Sequence, residues 1–447
     1  MNSCKTIAFY TLGCKVNQYE TETMKNNLIS YGHKEVEFDQ VADVYLVNTC
    51  TVTSIADKKS RNILRRTKKQ NKKSVVIVTG CYAQTNSKDL EKISEIDIII
   101  GNTEKNKIVE IINNLKISEE KIGKKEEKKE EKKEEKIIKV EDIFSTKDYD
   151  EKICGSVSEM TRAYVKIQDG CNNFCSYCKI PFARGRSRSR KKDNILYEIE
   201  KLAKNGYKEI ILIGINLSAY GEDLKEKITF EDLLEEIFLI DGIERIRIGS
   251  VYLDKLTDRF MSMFKNKKLM PHLHISLQSC DDTILRKMKR NYDSKLIVDK
   301  LEKMKNTVKN IEFTGDVIVG FPGESQEMFE NTCEIIKKIG FSGLHIFPYS
   351  QRENTEASKY SEKISNKMKK DRVKVLESIC HEMALEVRKK YLGKNLRVLI
   401  EETKESKGYG YSENFLKVET AIENNSVNKI KNIKIISITK EMLLTDG

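Results

Sequence analysis

Short apolar runs alternate with amphipathic stretches along most of this chain. Over residues 1–115, Ile7 to Leu12, Val44-Tyr-Leu-Val47, Val75-Val-Ile-Val78 and Ile96-Asp-Ile-Ile-Ile100 read as buried strands, with helices over Gln18 to Ser30 and Ile55 to Gln70, the second markedly basic. That alternation predicts a doubly wound parallel sheet. From 158 to 390 it resumes for six strands: Ala163 to Ile167, Glu209 to Asn216, Arg245 to Ser250, His272 to Gln278, Phe313 to Gly320 and Gly343 to Phe347. Six β/α units predict an open, partial TIM-like barrel whose active residues lie at the carboxyl ends of its strands. Residues 391–447 change character: Leu396 to Ile400, Gly408 to Tyr411, Phe415 to Val418 and Ile433 to Ile438 are short strands between Gly, Asn and Ser turns, and predict a small β-barrel. The fold class is therefore α/β and multidomain. Residues 116–157 read as a charged linker, because Lys124 to Glu135 repeats Lys-Lys-Glu-Glu with no apolar residue to bury.

Cysteine placement adds chemistry to this outline. Just past the strand Ala163 to Ile167, three thiols arrive within eight residues, Cys171-x3-Cys175-x2-Cys178. Three thiolates on one short loop suit a cubane iron-sulfur cluster, with the fourth iron left open for a substrate or cofactor. Zinc is the weaker reading, since a fourth ligand is normally close and His33, His272, His274, His345 and His381 are all distant in sequence. Buried structural thiols fit poorly with three Cys among polar loop residues. In the N-terminal region each of the first three strands ends in a cysteine, Cys14, Cys50 and Cys81, with 35 and 30 residues between them. The carboxyl ends of neighbouring parallel strands converge on one crevice, so three distant thiols can meet there as a second three-cysteine site. Cys4, Cys154, Cys333 and Cys380 follow no partner pattern.

Charge and targeting signals narrow the setting. The net charge is +12, from 81 Lys and Arg against 69 Asp and Glu, which favours a polyanionic partner. No apolar run approaches the roughly 18 residues that a membrane span needs, and the sequence opens without a signal-peptide core. A cytoplasmic protein with reduced thiols and no membrane association is the expectation. Arg184, Arg186, Arg188 and Arg190, followed by Lys191 and Lys192, form a basic run beside the thiol loop, either a solvated face or a phosphate contact. Tyr409, Tyr411 and Phe415, near Lys417 and Arg397, either stack on single-stranded RNA or fill the core of the small barrel.

Cys171-x3-Cys175-x2-Cys178 followed by a partial barrel resembles the radical S-adenosylmethionine superfamily. Together with Thr11-Leu-Gly-Cys-Lys-Val-Asn-Gln-Tyr-Glu20, Val47-Asn-Thr-Cys-Thr-Val-Thr53, Gly80-Cys-Tyr-Ala-Gln84, Gly214-Ile-Asn-Leu-Ser-Ala-Tyr-Gly221 and a terminal module similar to the TRAM RNA-binding domain, the chain resembles the methylthiotransferases, most of all the MtaB type. The resemblance implies a tRNA methylthiotransferase that converts N6-threonylcarbamoyladenosine at position 37 of the anticodon loop to its 2-methylthio form. Cys171, Cys175 and Cys178 would hold a 4Fe-4S cluster that binds S-adenosylmethionine and generates a 5'-deoxyadenosyl radical. Cys14, Cys50 and Cys81 would hold an auxiliary 4Fe-4S cluster that delivers sulfur. An external electron donor and a sulfur source would complete the reaction.

Further residues follow from the same resemblance. Gly214, Ile215 and Asn216 match the segment that meets the methionine amino group in relatives; Ser250, Gln278 and Asp316, read from their own positions, are further strand-end polar residues, and each of these residues either lines the cofactor pocket or serves plain turn chemistry or a helix cap. Ser250-Val-Tyr-Leu253 departs from the family's Ser-Ile-Glu-Pro-like turn, so an expected carboxylate is missing, and Cys280 stands where Gly is usual. The alternatives are a methylthiotransferase acting on isopentenyladenosine in tRNA or on an aspartate of a ribosomal protein. A non-catalytic iron-sulfur RNA-binding protein is the alternative of a different class.

Overall fold

The structure, a computed structural model, describes residues 4–115, 136–151, 161–421 and 426–445. The Lys/Glu repeat and Cys154 lie outside the described residues. Packing divides the chain into two units, Met1–Ser156 with Lys179–Arg186, and Val157–Cys178 with Ser187–Gly447. Among the described residues no helix is long and apolar enough to cross a membrane.

The first unit holds a six-stranded parallel sheet: β1 (Thr6–Thr11), β2 (Lys34–Val36), β3 (Val44–Thr49), β4 (Val75–Gly80), β5 (Ile98–Ile100) and β6 (Ile137–Lys139), in the order β2-β1-β3-β4-β5-β6. Its helices are α1 (Lys15–Ser30), α2 (Ser54–Gln70), α3 (Cys81–Thr85), α4 (Ser87–Glu91), α5 (Ile108–Asn113) and α6 (Ile180–Arg184). Every residue of β3 is buried, because both sheet faces are covered. Val44, Leu46 and Ile77 pack with Met24, Leu28, Ile108 and Ile112, whereas Val47, Val76 and Val78 pack with Leu64 and Leu90 on the other face. The edge strands β2 and β6 carry no apolar period. β6 falls inside the stretch read as a linker and so corrects it: Ile137 and Ile138 stay 46% and 41% exposed, and backbone pairing with Ile98 and Ile99 holds them.

In the second unit, β7 (Arg162–Lys166) leads to the short pair β8 (Gln168–Asp169) and β9 (Arg188–Ser189), then α7 (Lys192–Lys204), β10 (Glu209–Ile213), α8 (Phe230–Phe238), β11 (Arg245–Ile248), β12 (Ser250–Val251) and α9 (Asp258–Met263). β13 (His272–Gln278), α10 (Asp282–Lys287), α11 (Ser294–Thr307), β14 (Glu312–Val319), α12 (Gln326–Ile339), β15 (Gly343–Pro348) and α13 (Asn366–Lys389) follow. The strands are parallel and form two sheets, β7-β10-β11 and β12-β13-β14-β15. The expected third strand is thus cut at Gly249, where a Cβ would lie only 3.0 Å from the Leu212 carbonyl oxygen. Val165, Leu212, Ile246, Ile275 and Phe313 join one core with the helices. The alternate positions, including Tyr164, Arg247, His274, Asp316 and His345, make the opposite face polar.

A curled sheet completes this unit: β16 (Asn395–Lys404), β17 (Lys407–Ser412), β18 (Lys417–Ala421), β19 (Ile430–Lys434), β20 (Ser437–Ile438) and β21 (Leu443–Leu444) in the order β19-β16-β17-β18-β21-β20. Its core, with Val398, Ile400, Val418 and Leu443, closes on Val387 and Tyr391 at the end of α13. Two of the aromatics read as RNA platforms or barrel core, Tyr411 and Phe415, are half-buried and pack against the strands of this unit. Tyr411 and Phe415 stack at 4.7 Å, His272 lies 4.7 Å from the Phe415 ring, and the Arg162 and Arg247 guanidinium groups sit 4.8 Å from Tyr411 and 5.0 Å from Phe415. The reason is cationic crowding on the polar face, where Arg245 and Arg247 share Glu209 and donate to carbonyls of Tyr411, Ser412 and Glu413.

Candidate active site: two sets of three thiols

In the first unit Cys14 caps α1, Cys50 directly follows β3 and Cys81 opens α3 directly after β4, so the three stand at the carboxyl ends of adjacent strands. Cys14 is exposed; Cys50 and Cys81 are buried. Two glycines permit the approach. A Cβ on Gly13, at φ +103°, would lie 2.7 Å from Cys50 Cβ and 2.8 Å from its sulfur, and one on Gly80, at φ +96°, would lie 2.3 Å from the Thr49 carbonyl oxygen. The Asn17 amide ties two strand ends together by donating to the carbonyls of Leu12 at 2.8 Å and Thr49 at 3.0 Å. Burial, then the neighbouring Cys81, push the Cys50 thiol up to about 12, and Cys14 adds to the effect. Cys81 is also raised, by burial first, while Arg184 and Lys105 pull it back.

Those two cations belong to a buried cluster. The Arg184 guanidinium donates to Glu20 Oε1 at 2.7 Å and to Asn17 Oδ1 at 2.7 Å, and Lys105 Nζ donates to Glu20 Oε2 at 2.5 Å. Asn102 donates to the Ala183 carbonyl at 2.7 Å. This corrects the phosphate-contact reading of the basic run. Arg184 is buried in the first unit; in the second, Arg188 is buried beside Asp169 and Arg190 is buried against Glu198. Lys192 pairs with Glu236, which leaves Arg186 and Lys191 as the exposed members. A run of charges reads as solvated only when acids do not fold back on it.

In the second unit the loop from Gly170 carries Cys171 and Cys175, both buried, and the half-buried Cys178. Phe174 takes φ +44° to make the tight turn, and the Cys178 N–H closes on the Cys175 carbonyl at 2.9 Å. Gln168 braces the loop: its amide donates to the carbonyls of Asp169 and Gly170, both at 2.8 Å, and its oxygen accepts from the N–H groups of Ile215 at 3.0 Å and Asn216 at 2.8 Å. Gly214 has no side chain to block this bridge, since a Cβ there would meet Gln168 Oε1 at 3.1 Å. Arg290 reaches from the far side, donating to the Cys175 sulfur at 3.4 Å and to the Ser276 carbonyl at 2.7 Å. It lies between the rings of Tyr252, 4.4 Å away, and Tyr292, 4.9 Å away. Tyr252 occupies the place of the missing carboxylate; burial raises the Cys171 thiol, and Tyr252 is among the groups that pull it back.

The other expected pocket residues are less uniform. Gln278 ends β13 at φ +67°, and Ser250 opens β12 and is exposed. Asp316 is in mid-strand on β14, where its Oδ1 is shared by His274 Nε2 at 3.1 Å and His345 Nδ1 at 3.2 Å. Burial opposes ionisation there, but the two imidazoles outweigh it and hold the carboxyl well below its usual range. Donor atoms of this trio lie within 4.8 Å of one another, a set also suited to a divalent cation. Gln168, Arg290, Tyr252, Glu20 and Lys105 were not found from sequence, because each acts through residues far along the chain; the departure at Tyr252 was the one local signal.

Each set offers three sulfur donors, the donor chemistry that iron-sulfur clusters take. The Asn216 carboxamide oxygen is buried without a hydrogen-bond partner among the described residues, so it is open to a donor group. Residues 165–336 match the Radical SAM superfamily model, and residues 6–101 match a family described as uncharacterized, UPF0004. The chain resembles the solved radical S-adenosylmethionine methyltransferase TsrM from Kitasatospora setae, with cobalamin and a 4Fe-4S cluster bound, at TM-score 0.57 and 11% identity over 79% of this chain and 77% of that one. These features define an α/β multidomain radical S-adenosylmethionine protein. It is 38% identical to the threonylcarbamoyladenosine tRNA methylthiotransferase MtaB of Bacillus subtilis (strain 168), over 96% of this chain and 94% of the relative. It is 39% identical to the MtaB of Aquifex aeolicus (strain VF5), over 88% and 92%, and 35% identical to the tRNA-2-methylthio-N(6)-dimethylallyladenosine synthase of Clostridium botulinum (strain Loch Maree / Type A3), over 95% and 93%. The chain belongs to the radical S-adenosylmethionine methylthiotransferase family, MtaB type.

Proposed function

We propose that this chain places a methylthio group on C2 of N6-threonylcarbamoyladenosine at position 37 of tRNA. The observation that carries the reading is the presence of two three-thiol sites in a chain 38% identical, almost end to end, to a relative named for that activity. Cys171, Cys175 and Cys178 would hold one 4Fe-4S cluster and Cys14, Cys50 and Cys81 a second. When bound, the first supplies with S-adenosylmethionine a radical able to remove hydrogen from an unactivated aryl carbon, and the second supplies sulfur.

The protein's part is to bind and orient. Gln168 fixes the backbone of Ile215 and Asn216 beside the thiol loop, and Asn216 offers its buried oxygen to the methionine amino group. Arg290 donates to Cys175, which steadies negative charge on that sulfur. Ser250 and Gln278 complete the cofactor pocket, whereas Asp316 acts through His274 and His345. The parallel strands of the two sheets are read as a partial TIM-like barrel over 158–390, 391–447 as a TRAM-like module, and 1–115 as the domain of the second cluster. An electron donor and a sulfur source act from outside, in the cytoplasm.

The test is mass spectrometry of tRNA nucleosides from cells lacking the gene, before and after it is restored. The expected result is loss of the 2-methylthio form with accumulation of N6-threonylcarbamoyladenosine. Loss of the 2-methylthio form of dimethylallyladenosine instead would reassign the substrate, and an unchanged profile would remove tRNA as the target.

A further inference from the structure

We propose that the solvent face of α2 is the docking surface for the phosphate backbone of the RNA substrate. Residues 54–73 contain nine Lys and Arg and one acid, a surplus of +8 in a chain whose whole surplus is +12. Asp and Glu make up 69 of 447 residues, so a stretch of twenty would ordinarily carry about three. The single acid, Asp57, is buried and accepts from the Thr51 hydroxyl at 3.0 Å. A merely Lys-rich composition gives mixed helices, as in α13, where Asp371, Glu377, Glu382 and Glu386 accompany the cations.

Helical geometry gathers these charges on one side. At 100° per residue Lys58, Lys59, Arg65, Arg66 and Lys69 fall on one face, and all are exposed; Asp57, Ser60, Leu64 and Thr67 are the buried residues of the helix. None of the five, nor the exposed Lys72 and Lys73 that follow, makes an ion pair among the described residues. Lys68 and Arg61, on the flanks, are engaged by Asp97 and by the Tyr82 hydroxyl. Arg65 and Lys69 are four apart and Arg66 and Lys69 three apart, spacings at which like charges weaken a helix. A stripe kept against that cost fits a polyanion.

Position adds the link to chemistry. From Lys58 to Lys69 the stripe runs about 16 Å, alongside several phosphates of an RNA strand. The helix begins four residues after Cys50, and the Val52 N–H donates to the Cys50 sulfur at 3.5 Å. Val52 and Ile55, 51% and 61% exposed, leave apolar surface between that thiol and the stripe, suited to an unstacked base. RNA held along α2 therefore leads to the thiols of the same unit. This inference rests on the reading of RNA as substrate.

The experiment measures binding of a synthetic anticodon stem-loop to the reconstituted full-length protein as a function of salt. R65Q/R66Q is expected to weaken binding at least about tenfold near 0.1 M salt and to lower the slope of log Kd against log salt by about 1.5, since each lost phosphate contact removes 0.7 to 0.9. K58Q/K59Q should behave alike, with iron content and S-adenosylmethionine cleavage in the absence of RNA unchanged. K367Q/K370Q, on the exposed face of α13, should leave the slope untouched. Wild-type slope and affinity in both α2 variants would overturn the proposal, as would a stripe-dependent partner that is an acidic protein rather than RNA. Failure of the wild-type protein to bind any stem-loop at low salt would instead remove RNA as the substrate.

Discussion

Replacing Glu20 by Gln keeps the shape of the side chain and removes the carboxylate that both Arg184 and Lys105 address. The three side chains are 3%, 0% and 1% exposed, so the charges left behind cannot turn to water. Breaking a buried pair by removing one partner costs about 3–5 kcal/mol, and two cations sharing one carboxylate place E20Q at the upper end. Lys105→Met leaves the contacts of Arg184 with Glu20 intact and should cost only about 1–2 kcal/mol. For a unit of some 160 residues, each kcal/mol lowers the melting temperature by about 2–4 °C, so E20Q should melt roughly 10 °C or more below the wild type. Thermal unfolding of the metal-free protein, followed by a probe on the first unit, reads this difference. Burial already lowers the Lys105 pKa against the pull of Glu20, and removing Glu20 lowers it further. Its folded value then lies further below the unfolded one, so the E20Q deficit should widen toward acid and shrink as pH rises and Lys105 sheds its proton. A melting temperature within a few degrees of wild type, or a K105M variant as damaged as E20Q, would refute the argument.

Gly13→Ala should cost about 1–3 kcal/mol through backbone strain, force Cys50 away, and leave the reconstituted protein with about half its iron; full iron content would contradict the close approach. Because burial, reinforced by Cys81, raises the Cys50 thiol from an ordinary value near 9 to about 12, the folded state keeps a proton that the unfolded chain loses. Its contribution to stability is complete below about pH 9 and lost as pH rises toward 12, so a Cys50→Ser variant should show a shallower alkaline decline in melting temperature when metal-free; an identical decline would exclude Cys50 as the cause. Gln168→Ala strands the N–H groups of Ile215 and Asn216, and should raise the S-adenosylmethionine concentration needed for half-maximal cleavage by tenfold or more, while iron bound by the Cys171 loop falls less. An unchanged cofactor requirement would show that the bridge does not shape the pocket.

How much was legible in the sequence depended on range. Cys14, Cys50 and Cys81 could be placed at neighbouring strand ends from sequence because a parallel sheet aligns the ends of consecutive strands. Cys171, Cys175 and Cys178 needed only spacing. The polar partners of both sites were not readable: Glu20 meets Arg184 across 164 residues and Lys105 across 85, and nothing local marks such a meeting. Arg188 and Arg190 misled for the same reason, since a sequence displays the charge and hides the acid that answers it. Tyr411 and Phe415 left two uses open, and their partners Arg162, Arg247 and His272, which lie in other elements, were not readable. β6 was missed because backbone hydrogen bonds at a sheet edge leave little trace in hydropathy.

One feature bears on inheritance. Residues 179–186 pack with the first unit although the chain on either side belongs to the second, so the polypeptide passes between them three times. A gene cut at the charged tract would yield an N-terminal piece lacking Arg184, with Asn17 deprived of the guanidinium it accepts from and Asn102 of the Ala183 carbonyl it donates to. The first unit therefore cannot be traded between proteins as a cassette. A change at Glu20 or Lys105 is felt at Arg184, a few codons past Cys178.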